Sequence, residues 1–145
     1  MHLMTKPVEL EATTSNRIIS RLMSEFSFTR DLAAATLTET LVYLQAVSMS
    51  SQPLAPSKLV DSGWHTFLLY TREYTDYCNL NFGQYIHHCP NDNADVAELP
   101  ISRTVGFFES HGLAYNPALW NSNVLGADCD GGGYGGGGSC KGQCS

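Results

Sequence analysis

Three of the five histidines, His65, His87 and His88, lie between Asp61 and Pro90, in company with Trp64, Cys78, Cys89 and four of the seven tyrosines. Imidazole, thiolate and carboxylate together are the donor set of a transition-metal site, and the same groups suit general-base chemistry. Asp61 and His65 stand at the i,i+4 spacing that lets side chains meet on a helix, so the carboxylate can orient the imidazole. The candidate ligands are His65, His87, His88 and Cys89, with Asp61 as a further ligand or as the orienting group. Zinc or another transition metal is the cofactor such a set would take. His-His-Cys has no standard zinc spacing, so the pattern names a type of site and not an ion. Each residue taken singly also fits a packing role: His65 bonded to Asp61 on a half-buried face, Cys78 as a small apolar core residue, and one ring of the His87-His88 pair under Trp64.

A second group of donors is set apart from the first. Cys129, Cys140 and Cys144 stand in a terminal stretch with nine glycines in the twenty residues from Gly126. Thiols in such a segment suit capture of a soft metal or enzymatic modification of a tail presented by a folded carrier; the segment is equally a solubilising end. Nucleophilic catalysis finds little support. Cys89 beside His88 is the local Cys-His pair, and adjacent residues of an extended piece point to opposite sides. No glycine-rich phosphate loop precedes a helix. The residues do not indicate an enzyme.

The elements that must position these groups are helical. Ile18, Ile19, Leu22, Met23 and Phe26 recur at the spacing of an amphipathic helix beginning at Ser15, after a coil over 1–14. Thr29, with Asp31 behind it, reads as the N-cap of a second helix through Met49, with Ala33, Leu37, Leu41, Leu44 and Val47 as its inner stripe. Pro53 and Pro56 place a loop at 50–56, and Ser57 caps a third helix that runs to about Cys78. At about 100° per residue, that helix turns Val60, Trp64, Phe67, Leu68, Thr71, Tyr74 and Cys78 inward. Asp61, His65, Leu69, Arg72 and Asp76 form a separate stripe. A turn at 79–83 follows, and Pro90 keeps Tyr85 to Cys89 extended or irregular. A polar, turn-rich stretch at 91–100 precedes a fourth helix over 101–110, stopped by Gly112, with His111 as a favourable C-terminal residue. The fold class is therefore all-α, a small bundle of about four helices over 15–121, followed by a flexible Gly/Cys-rich tail over 122–145.

Composition narrows the partners. The chain carries 14 acidic against 8 basic residues over 145 positions, for a net charge of −6, and no Lys/Arg cluster. Nothing supplies the phosphate neutralisation that nucleic-acid binding needs. No apolar run approaches a membrane span, and the N-terminus lacks the apolar segment of a secretory signal. A soluble, cytoplasmic protein is expected, with its cysteines as free thiols or thiolate ligands.

The run VDSGWHTFLLYTREYTDYC followed by FGQYIHHCP resembles the glycine-rich domain-containing proteins. The matching positions are Asp61, Trp64, His65, Thr71, Tyr74, Cys78, Gly83, His87, His88 and Pro90, and Thr104, Gly112 and Trp120 look like that family's second half. The resemblance implies a helical domain and no particular activity. The reading that follows is a small cytoplasmic helical binding domain with a His/Asp/Cys cluster suited to a transition metal. The alternatives are a folded carrier for the cysteine tail and a structural interaction module with an unknown protein partner.

Overall fold

Capping residues set the helix boundaries seen in the computed structural model, which describes residues 6–89, 100–121 and 142–143. Helix α1 spans Ala12–Phe26, starting ahead of Ser15, and ends as Ser27 turns left-handed at φ 57°. Thr29 caps α2 (Arg30–Met49), its hydroxyl accepting from the Leu32 amide at 3.1 Å, and Ser57 caps α3 (Lys58–Leu68) in the same way through Val60 at 3.2 Å. Each cap satisfies an amide that the first helical turn leaves without a partner.

Helix α2 is the central element. Its predicted inner stripe is buried as expected, but so are Thr36, Glu39, Thr40, Val42, Tyr43 and Ala46. It packs against both α1 and α3. The closest approach to α3 is at Gly63, where a Cβ would overlap the Thr40 hydroxyl and lie 3.1 Å from Thr36 Cγ2. Gly63 therefore does not interrupt α3; it lets two helix backbones meet.

The third helix differs from the expectation. It stops at Leu68, and a separate helix, α4, runs from Thr71 to Phe82. The amides of Leu69 and Tyr70 bond only three residues back, to Thr66 and Phe67, and Tyr70 leaves the helical region at φ −92°, ψ 67°. Neither Gly nor Pro marks this break. Side-chain packing holds it: Tyr70 lies under the guanidinium groups of Arg17 and Arg21 from α1, 4.7 and 5.7 Å from its ring centre, while Phe67 and Tyr74 meet edge to face at 4.9 Å. The break dissolves the continuous polar stripe. Arg72 and Asp76 belong to α4, Leu69 is exposed in the corner, and Thr71 lies outside the core that Val60, Trp64, Phe67, Tyr74 and Cys78 enter.

Gly83, at φ 69°, ends α4. The chain then runs extended into β1 (His88–Cys89), which pairs in parallel with β2 (Gly142–Gln143), His88 opposite Gly142 and Cys89 opposite Gln143. Helix α5 (Ile101–Ser110) ends before Gly112, whose φ is 66°, as the sequence predicts. The Thr104 hydroxyl ties α5 to the 50–57 loop by donating to the Ala55 carbonyl at 2.6 Å and accepting its amide at 3.0 Å. A short 3-10 turn at Pro117–Trp120 returns Trp120 to Phe108 and Tyr43. The all-α class holds, with five helices among the described residues because the predicted third helix is two. The acidic stretch at 91–99 and most of the tail, with Cys129, Cys140 and Cys144, lie outside the described residues.

Candidate functional site

Helix α3 presents two chemistry-bearing side chains one turn apart. Asp61 sits in its first turn, where a carboxylate is favoured by the helix dipole, and is 5% exposed. His65 follows at i+4 with its Nδ1 3.5 Å from Asp61 Oδ2, and its side chain is 46% exposed. The third member comes from outside the helix. His88 on β1 brings Nε2 to 2.9 Å from Asp61 Oδ1 and 2.7 Å from His65 Nε2, with its side chain only 12% exposed.

The position of His88 follows from the core beneath it. The Trp64 indole N–H donates to the Tyr74 hydroxyl at 3.0 Å, and that hydroxyl donates to the Ile86 carbonyl. Burial raises the Tyr74 phenol well above its ordinary pKa, which keeps its proton available for this bond. Two helices thus clamp the strand two residues before His88. Ile86 is buried, His87 is exposed and His88 turns inward, the alternation of an extended chain. The His88 ring then rests on Trp64, with centroids 4.3 Å apart, so a packing contact and a polar site share the same residue.

Asp61, His65 and His88 offer one ligand atom each, all within 4.8 Å of one another. The remaining candidates part from them. His87 faces away and packs against Tyr85 at 4.6 Å. Cys89 is engaged in a disulfide whose other sulfur lies outside the described residues, so it is neither a free thiol nor a ligand. The expectation of free thiols holds for Cys78, a buried core residue whose pKa burial raises.

Burial favours the neutral form of the His65 imidazole. Burial lowers the His65 pKa, Asp61 pulls it back up, and His88 pushes it down again. A neutral ring carries the lone pair that a metal requires.

Two residues of consequence escaped the sequence reading. The sequence places Tyr74 in the core, which it enters, but its hydroxyl also positions the segment that leads into β1. Glu39 was not singled out, although it is the single charged residue between Asp31 and Lys58. It is 3% exposed, and its Oε1 accepts from the Asn116 amide and the Trp120 indole, both at 2.8 Å. A lone acid in a long uncharged helical stretch was the available signal.

Among the described residues no helix is long and apolar enough to cross a membrane. No curated protein and no solved structure matches the sequence. A family model described as UCP032817-like matches residues 11–98, from before α1 through β1, and so takes in Asp61, His65 and His88 together. With the larger part of its 145 residues under that match, the chain belongs to the UCP032817-like family.

Proposed function

We propose that Asp61, His65 and His88 form a binding site for a divalent transition metal, zinc foremost. The observation that carries this reading is the simultaneous approach of two atoms to His88 Nε2, Asp61 Oδ1 at 2.9 Å and His65 Nε2 at 2.7 Å. A ring nitrogen bears either a proton or a lone pair. One proton on it is shared poorly between two acceptors, and a lone pair on it faces the lone pairs of a carboxylate. A cation among the three satisfies all of them. Zinc bonds to nitrogen at about 2.0–2.1 Å in tetrahedral geometry, which places ligand atoms roughly 3.3 Å apart. The cluster must therefore open by about half an ångström, and the exposed His65 ring is the part free to give. Three protein ligands also leave a fourth position for water or an exogenous group.

Five of the positions that carry the glycine-rich domain-containing resemblance, Asp61, Trp64, His65, Tyr74 and His88, build and brace the cluster on which this reading rests. Metal analysis and zinc titration of protein purified without an affinity tag test it. Wild type is expected to bind one equivalent, with Asp61→Asn and His88→Ala losing it and His65→Ala weakening it while melting near wild type. Zinc binding of equal strength in wild type and all three variants would overturn the proposal.

A further inference from the structure

A second site lies on the opposite side of α2. A groove of about 440 Å³ opens between α1, α2, the segment around Tyr115 and the N-terminal residues from Lys6. Its walls are largely apolar, with Leu10, Ile19, Ala34, Leu37 and Val42 among them, and Glu39 also lines it. Glu39 is buried, and both of its hydrogen bonds fall on one oxygen, Oε1. No described residue bonds to Oε2. Lys6 lines the same groove but forms no ion pair with Glu39, nor does any other described cation.

We propose that this groove binds a small organic cation, an apolar body ending in a primary ammonium, whose N–H groups donate to Oε2 of Glu39. The volume is that of a small-molecule pocket, in which apolar walls supply contact area and one or two polar groups fix orientation. A carboxylate withdrawn from water with half of its acceptor capacity unused is costly to hold, and a charged donor relieves that cost more fully than a neutral one. The two N–H groups on Oε1 keep the carboxylate fixed, so the ligand meets an acceptor already in place. A carboxylate-bearing ligand meets repulsion there, and an alcohol brings one neutral donor. This site is independent of the metal cluster, which sits on the far side of α3 from the groove-lining residues.

The test uses the full chain labelled with nitrogen-15 and titrated with n-hexylammonium, 1-hexanol and hexanoate. Trp120 and Asn116 report directly, because their N–H groups bond to the carboxylate in question. Hexylammonium is expected to shift both signals saturably and to bind about tenfold or more tighter than hexanol, with hexanoate silent. Glu39→Gln retains an oxygen for Trp120 and Asn116 but presents an amide donor to the groove, and should weaken hexylammonium by a similar factor. Ala114→Phe, which adds bulk to the groove lining and leaves Glu39 itself unchanged, should abolish binding and supplies the test if Glu39→Gln proves unfolded. An absence of saturable shifts in wild type, equal affinity for hexanol, or undiminished affinity in a folded Glu39→Gln or Ala114→Phe protein would each overturn the assignment.

Discussion

His65 and Glu39 are two titratable residues that burial moves in opposite directions, and each gives a pH signature. The His65 imidazole, lowered from 6.5 chiefly by burial, should titrate below that value in metal-free protein followed by NMR. Between 6.5 and its folded pKa the unfolded chain takes up a proton that the native state refuses, so this histidine's share of stability falls as pH falls through that window. A midpoint above 6.5 would contradict the site's electrostatics. Burial raises the Glu39 carboxyl above 4.5, against the lowering effect of Asn116 and Trp120. Here the native state binds a proton before the unfolded one does, and stability is gained as pH falls toward 4.5. Glu39→Gln, which keeps the acceptor and removes the charge, should melt above wild type at neutral pH. That gap should narrow on acidification, and a gap that is constant or widens would show that Glu39 is not penalised by burial.

At the scale of elements, the site depends on two joints. The first is the contact of α2 with α3 at Gly63, where a methyl group has no room beside Thr40 and Thr36. Gly63→Ala should cost about 1–3 kcal/mol as the helices are pushed apart, seen as a lowered denaturant midpoint. An unchanged midpoint would mean the contact is loose. The second joint is the Trp64–Tyr74–Ile86 chain of hydrogen bonds that hangs β1 from the two helices. Tyr74→Phe leaves the packing and removes the hydroxyl, stranding two buried groups at a cost of about 1–3 kcal/mol. Because His88 is two residues beyond Ile86, the same change should weaken zinc about 10–100-fold, the usual effect of losing a group that orients a ligand. Full zinc affinity in a destabilised Tyr74→Phe protein would separate the clamp from the site.

For the molecule as a whole, Trp64 joins stability to the proposed metal site. Its ring is fully buried, meets Tyr43 edge to face at 5.4 Å and packs against His88 at 4.3 Å. Trp64→Ala should cost about 3–5 kcal/mol, a large share of the stability of one small domain. A ligand that binds only the folded state raises the melting temperature. Zinc is therefore expected to stabilise wild type, a chelator to reverse it, and Trp64→Ala to lose both the packing and most of the zinc response. A wild-type melt indifferent to zinc and chelator would remove the support for a metal site.

Sequence alone determined what depends on neighbours along the chain. The caps at Thr29 and Ser57, the stop at Gly112, the inner face of α2, that of α1 except for Phe26, which is exposed at the helix end, and the Asp61–His65 pair follow from helical spacing and local hydrogen bonding, so they were legible without coordinates. What only the tertiary structure decided depends on residues far apart in the chain. The break at Tyr70 has no local signal, because arginines from α1 hold that ring. His88 and not His87 joins Asp61, because Tyr74 and Trp64 fix the phase of the strand, and a shift of one residue would exchange the two rings. Cys89 is removed from the ligand set by a disulfide, and Glu39 is buried by Trp120, which lies beyond α5. In each case a side chain's environment is set by packing against a distant element, and spacing along a single helix carries no information about which element that will be.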